Sequence, residues 1–532
     1  MFLCVTIILT GFWNWRIFYA RHTTSIPTTG GSITEGVVGQ PEVINPLLAT
    51  TPTDEALVRA LFSGLYRYNE VGQIVPDLAA ALPEISPDGK QYRITLQNDL
   101  HWHDGAPLTA NDVLFTIAQI QNEAIGSPHR EAWLSTTVQK IDDVTVVFTT
   151  KEVSGPFLHN LTLPLLSERA WKTIPASQYK QSSNNLKPIG NGPFSFDQIK
   201  KNPTGQYSML ILKRFALHPR APHIDELRIA FYENSSDLTQ AFINGNVQLV
   251  GSIASEAPAE LVETRAKQTT SLLAQYQAAF FNTERPVLKE LAVRKALRMA
   301  VDSTAIATTA WQNKNRAISE TPFGLMLGTV KTAQSNAATA AQILENAGWR
   351  KNAQGIRSKG GTALTLHLYT SSNPSFRAAA ELLAETWKPL GVQVIVHAVP
   401  TNTLIAEHVR PREYDILLFS QRTSVDPDPF AFWHSSQTKD PGLNVSNFAS
   451  NEADQLITAA RKNTNIALRT PLYDQLKGLL DTQIPALYLT QVQYTYFSKD
   501  TVTTPSMSGL PDPSWRMSFL SDFYAEQSRR WK

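Results

Sequence analysis

The chain has 532 residues, 42% hydrophobic and 18% charged, and its 48 Lys and Arg against 46 Asp and Glu leave a formal charge of +2. That length exceeds what one hydrophobic core serves, so more than one domain is expected, and the composition is globular rather than disordered. With no basic run there is no electrostatic footprint for nucleic acid.

Reading from the N-terminus, Phe2 to Trp13 is apolar, and Ile17 to Ala20 continues the run past Asn14 and Arg16. Such a stretch predicts a signal peptide or membrane anchor over residues 1–21. Arg16 and Arg21 follow the apolar run instead of preceding it, opposite to the usual charge bias for an exported body. The single cysteine, Cys4, lies inside this segment, so the rest of the chain can form neither a disulfide nor a cysteine metal site. Residues 22–31, rich in Thr, Ser, Pro and Gly, predict a linker. Anchor, spacer and large body together suggest a protein held at the outer face of a membrane.

Leu57, Leu61 and Leu65 recur at helical spacing, which predicts a helix over Glu55–Leu65. After the turn signal Pro87-Asp88-Gly89, the alternation of Tyr92, Ile94 and Leu96 predicts a half-buried strand. Thr109 to Asp112 resembles a capping box, opening a helix with the stripe Val113, Ile117 and Ile120. Val144 to Thr149 reads as another strand. The stretch from about Leu186 to Phe281 is strand-rich, with Gly190-Asn191-Gly192-Pro193, Met209 to Leu212 and Glu226 to Phe231. From Asn282 onward the pattern is clearest. A helix over Leu291–Val301 carries Val293, Leu297 and Ala300. A strand over Leu364–Tyr369 leads to a helix marked by Phe376, Ala380, Leu383, Trp387 and Leu390, ended by Pro389 and Gly391. Val392, Val394 and Val396 form a second strand, Thr403 to Val409 a short helix, and Tyr414 to Phe419 a third strand. Such alternation predicts a parallel α/β sheet. Parallel sheets bind ligands at the carboxyl ends of their strands, which directs attention to the loop after Phe419.

Several segments, in order, resemble the family 5 extracellular solute-binding proteins, the receptors of oligopeptide, dipeptide and nickel ABC importers. They are Pro76 to Ala79, Ser86 to Gly89, Tyr92 to Leu96, Trp102 to Val113, Pro188 to Phe194, Phe281 to Thr283, Val293 to Leu297 and Ala300 to Asp302. Ala347 to Trp349, Gly391-Val392, Tyr414-Asp415 and Asp426 to Asp428 complete the series. The resemblance implies the type II periplasmic-binding-protein-like fold, two α/β lobes joined by a hinge with an extra subdomain inserted in lobe I. Residues 32–67, 187–281 and 490–532 would form lobe I, 68–186 the inserted subdomain and 282–489 lobe II. It further implies a monomeric, extracytoplasmic, non-enzymatic receptor without a cofactor, which closes on a short peptide and delivers it to an ABC permease.

In peptide-binding relatives an Asp near the Asp-Pro-Asp stretch pairs with the ligand's α-ammonium. The matching position here is Thr423, and Ser420 stands where a Trp is common. Asp426 or Asp428 would then receive the ammonium, unless they serve as turn formers beside proline. Arg377 resembles a position that meets the ligand carboxylate, Arg422 is a second candidate cation, and Trp433 would wall the pocket or pack the core. His101, His103 and Asp104 invite a metal reading, since alternate strand residues share a face, but no third and fourth ligand of ordinary zinc spacing follows, and they read as structural. Rival functions are the same fold holding a nickel chelate, haem or an oligosaccharide, and a hydrolase. Asp426 and Asp428 are too close in sequence for carboxylates that straddle a scissile bond.

Overall fold

The computed structural model describes residues 23–253, 257–311, 321–323, 335–423, 425–426, 428–525 and 527–531. The expected anchor over residues 1–21, with Cys4, lies outside them. No helix among the described residues is long and apolar enough to cross a membrane.

Strand β1 (Ser32–Val38) runs through the core of the first lobe. Helix α1 (Pro52–Leu61) follows, with Thr51 accepting from the Asp54 amide at its N-terminus and Pro52 in the first turn, where no intrahelical donor is lost. It ends at Leu61, earlier than its leucine stripe predicts, because Phe62 turns to extended backbone and Leu65 joins the core from the next segment. Strand β2 (Gln91–Thr95) buries Tyr92 and Ile94 on one face. Helix α2 (Ala110–Gln121) begins with the capping box at Thr109 and buries Val113, Ile117 and Ile120. Strand β3 (Thr145–Thr150) joins β2 in a four-stranded antiparallel sheet.

The remaining strands of the first lobe are β4 (Phe194–Lys201), β5 (Tyr207–Arg214), β6 (Glu226–Tyr232) and β7 (Leu249–Ile253). Strand β8 (Lys267–Phe281) then leads into the second lobe. There α3 (Leu291–Ala300) buries Val293, Leu297 and Ala300. Strand β9 (Thr365–Ser371), helix α4 (Pro374–Trp387), strand β10 (Gln393–Val399) and strand β11 (Ile416–Arg422) follow, with the short element Leu404–Val409 wound as a π-helix. Helices α5 (Asn451–Arg461) and α6 (Ile466–Gln483) pack on this lobe, and β12 (Ala486–Ser498) returns to the first.

One eleven-stranded sheet runs through the whole body in the order β10-β9-β11-β8-β12-β7-β1-β6-β5-β4, with Gly509–Leu510 beside β8. Strands β9, β10 and β11 are parallel, as are β1, β6 and β7. Between these two α/β halves lie the antiparallel partners β8 and β12. One core cluster gathers Ile33, Leu57, Ile94, Trp171 and Phe519, whereas Leu297, Trp387 and Leu418 belong to a separate cluster in the second lobe. Two further clusters gather around Leu417 and Trp433 and around Leu238 and Phe242, so burial forms several separate cores while one backbone ladder runs through them all.

The crossing point is an irregularity. Leu272 pairs with Gln493 and Tyr276 with Gln491, so Leu273, Ala274 and Gln275 stand opposite Val492 alone. Extra residues on one strand bend and twist the ladder, and their polar groups need other partners. Gln491 Nε2 donates to the Leu273 carbonyl at 2.8 Å, and the Thr423 amide donates to the Ala274 carbonyl at 2.7 Å. The strands that join the two lobes therefore cross at a bulge whose carbonyls are taken up by Gln491 and Thr423.

Candidate ligand site between the lobes

The carboxyl ends of the parallel strands in both halves face the seam. In the first lobe β7 pairs with β1 only through Leu249–Glu35 and Val250–Gly36, and beyond these residues the strands part. The space between them is a cavity of about 350 Å3, lined by Gly36 to Val38, Gly251, Leu238 and Tyr494 among others. Gly251 is required here, because a Cβ on it would collide with the Tyr494 hydroxyl. Beneath the cavity the Glu35 carboxylate, fully buried, accepts from Arg516 Nε at 2.7 Å and from the Tyr496 hydroxyl at 2.5 Å. That bonding pattern compensates both buried charges.

In the second lobe, the end of β11 carries several of the residues that sequence reasoning favoured. Thr423 donates its hydroxyl to the Ala274 carbonyl at 3.1 Å, the same acceptor its amide uses, so the side chain is committed to the hinge. Ser420 accepts from Gln275 Nε2 at 2.7 Å and is likewise tied to β8. Arg422 reaches across the seam to the first lobe, 2.6 Å from Asp512 and 3.6 Å from Glu55. Glu55 has its carboxyl pushed up by burial and by the neighbouring Asp512. Arg59, one helical turn further along α1, lies 3.5 Å from the Trp515 ring, and burial lowers its pKa to about 10, which leaves it protonated at neutral pH.

Asp426 is 3% exposed and forms ion pairs with Arg469 and with His159 Nε2, the latter at 3.2 Å. Burial opposes its charge, yet His159 and Arg469 outweigh that and hold the carboxyl below its ordinary range. His159 belongs to the segment joined to the first lobe, and its Nδ1 meets the Tyr68 hydroxyl at 2.7 Å, so this pair also bridges the seam. Asp428 pairs with Arg461 at 3.1 Å and accepts from the Phe430 amide, while burial raises its pKa. Asp428 also lines a second cavity. That cavity, about 750 Å3, opens between Phe157 and Arg461. Arg377 is exposed in the first turn of α4, at the carboxyl end of β9. Trp433 is 1% exposed, with ring centroids 6.4 Å from both Phe280 and Tyr488, so its area serves the core of the second lobe.

His103 has a different role from ligation. Its Nε2 faces the Gly192 carbonyl at 3.0 Å and its Nδ1 accepts from the Gly190 amide at 3.1 Å. The Gly-Asn-Gly turn is built for close approach: Asn191 pairs its amide with both the Ser63 amide and carbonyl, and a Cβ on Gly190 or Gly192 would strike the backbone at Leu61. Among the described residues no three His, Cys, Asp or Glu side chains converge as metal ligands.

Sequence reasoning missed Glu55, Asp512, His159 and Arg469. Arg422 and Asp512 are 90 residues apart, and no spacing rule joins such partners. The only local sign was the acidic first turn of α1, which any helix favours.

Comparison with known proteins bears on the same features. A family model for bacterial extracellular solute-binding proteins, family 5 Middle, matches residues 73–442. The chain is 25% identical over 482 residues to the oligopeptide-binding protein AppA of Bacillus subtilis (strain 168), covering 88% of each. Among solved structures, the ABC transporter substrate binding protein CtaP of Listeria monocytogenes superimposes with a TM-score of 0.79 at 24% identity, over 94% of this chain and 100% of that one. NikZ of Campylobacter jejuni, in complex with Ni(L-His), gives 0.72 at 24% identity over 90% and 96%. The fold is the two-lobed type II arrangement of periplasmic binding proteins. With the greater part of its length matched, the chain belongs to the family 5 bacterial extracellular solute-binding proteins.

Proposed function

We propose that this protein is the extracytoplasmic receptor of an ABC importer, capturing short peptides between its lobes and presenting the closed form to a permease. The observation that carries the reading is the cavity of about 750 Å3 whose walls come from both sides of the seam, with Thr136, Phe157 and Asn160 on one and Asp428, Phe430 and Arg461 on the other. A smaller cavity lies within the first lobe, where Val37 and Val38 stay paired with β6 and not with β7, and the Val38 carbonyl accepts from the Thr53 hydroxyl at 3.3 Å. A cavity of this size falls within the range of small-ligand sites. Support for the ligand class comes from the oligopeptide-binding relative, whereas NikZ carries a nickel–histidine complex on the same fold.

Capture requires that the ligand grip both lobes, because only differential contact with the closed state drives closure. The domain division that fits this reading has lobe I at 32–67, 187–281 and 490–532, the inserted subdomain at 68–186 and lobe II at 282–489, with the N-terminal segment as signal or anchor. The site we assign on lobe II is the end of β11 with Ser420, Arg422 and Thr423, bordered by Arg377, Asp426 and Asp428, with Trp433 supporting it from the core.

The test combines native mass spectrometry of copurified ligand with solution scattering. A bound peptide, and a smaller radius of gyration when a peptide pool is added to stripped protein, are expected. A copurified metal chelate or sugar, with no peptide-induced compaction, would replace this reading with another ligand class.

A further inference from the structure

One face of the second lobe carries histidines that line neither of the two cavities described above. Strand β10 ends the long sheet and runs parallel to β9, with His397 opposite Tyr369 and His367 two residues before it. Residues two apart on a strand share a face, so His367, Tyr369 and His397 stand together. His367 Nδ1 lies 3.0 Å from His397 Nε2. The ring planes are 18° apart with centroids at 5.3 Å, too wide for overlap, so the two imidazoles meet edge to edge. Tyr369 stacks on His397 with centroids at 4.4 Å and planes 13° apart, and itself meets His408 of the π-helix at 4.2 Å. His397 is thus held by a stack, whereas His367 is exposed and can turn. Beside the pair, the Asp415 carboxylate accepts from the His367 amide at 2.8 Å and adds negative charge.

The geometry points to a second binding site here, in which His367 Nδ1 and His397 Nε2 chelate one divalent copper ion and water completes the coordination. Two imidazole nitrogens about 2.0–2.1 Å from a metal stand about 2.9 Å apart when they subtend a right angle, and about 3.3 Å apart at a tetrahedral one. The observed 3.0 Å fits the right angle, which is the preference of Cu(II) and Ni(II), and copper heads the affinity order. One of the two nitrogens carries the hydrogen that now joins the rings. On chelation that ring moves its hydrogen to its other nitrogen, so both ligands are neutral imidazoles and no net proton leaves. A small turn of His367 aims both lone pairs at the ion. With two protein ligands, the ion exchanges with solvent and is not built into the fold. The site is independent of ligand capture between the lobes.

The experiment titrates the full-length chain, with Cys4→Ser removing its one thiol, with Cu(II), Ni(II) and Zn(II) in turn. Calorimetry reads affinity and electron paramagnetic resonance reads coordination. A Cu(II) site with an axial spectrum and splitting from two nitrogens is expected, tighter than the site's hold on Ni(II) or Zn(II). His367→Gln and His397→Gln should each weaken it at least about tenfold, while His101→Gln leaves it unaltered. His367 is exposed, so its variant keeps the test decisive should His397→Gln fold poorly. Equal copper affinity in the His367 variant, tighter binding of Zn(II) than of Cu(II), or no copper bound below about 100 µM would overturn the assignment.

Discussion

His103 demonstrates how a polar residue in a recognisable motif can be wholly structural. Both ring nitrogens are bonded to the Gly190–Gly192 turn, and burial pushes its pKa from 6.5 down to about 4. The folded protein thus favours the neutral ring, while the unfolded chain takes up a proton once the pH falls below 6.5. Its contribution to stability is complete above 6.5 and declines as the pH drops toward 4. His103→Gln, which retains a donor and an acceptor, should flatten that part of the stability profile. Urea midpoints measured at intervals between these two pH values check it, and an unaltered slope would show that the ring titrates normally. At this same scale, Thr423 marks where residue type misleads. Its hydroxyl could serve a ligand, but a carbonyl freed by the bulge lies 3.1 Å away and takes it.

At the scale of elements, the turn Gly190-Asn191-Gly192 fixes how the first-lobe strands meet α1. The Gly192 amide donates to the Leu61 carbonyl at 2.9 Å, and a Cβ on Gly190 would sit 1.9 Å from that same oxygen. A backbone atom cannot swing aside as a side-chain tip can. Gly190→Ala should therefore destabilise the protein by about 1–3 kcal/mol, the usual cost of forcing atoms into a filled core. Thermal unfolding would measure it, and a change under about 0.5 kcal/mol would mean that the turn relaxes freely. Elements of this kind were readable in proportion to their periodicity. Helix α2 was legible because its stripe and capping box agree, and β2 because Tyr92 and Ile94 alternate with exposed neighbours. Strand β12 gave no such signal, since every residue from Ala486 to Ser498 is buried and no alternation survives. The end of β11 was singled out from strand order alone. Its actual partners, Glu55 on α1, Arg469 on α6 and Asp512, were not, because ion pairs between distant segments leave no local pattern.

For the whole molecule, the seam sets the balance between open and closed forms. Asp426 links Arg469 of α6 to His159 across the lobes, and its removal would leave a nearly buried guanidinium without its counter-charge. Asp426→Asn should populate the open form, seen as a larger radius of gyration by solution scattering. Ligand affinity should fall about tenfold, since apparent affinity scales with the fraction of competent protein. An unchanged radius would mean that the hinge alone holds the lobes together. The hinge can share in this, because the polar groups displaced by the bulge are taken up by Gln491, Thr423 and the Gly509–Leu510 strand.

Because both crossing strands run side by side in one ladder, a protease that cut only one of them would not part the molecule. The severed ends would remain registered against the intact neighbour, from Lys267 beside Ser498 to Phe280 beside Ala486. A chain nicked within either strand is thus expected to travel as a single particle on a sizing column and to separate into fragments only in denaturant.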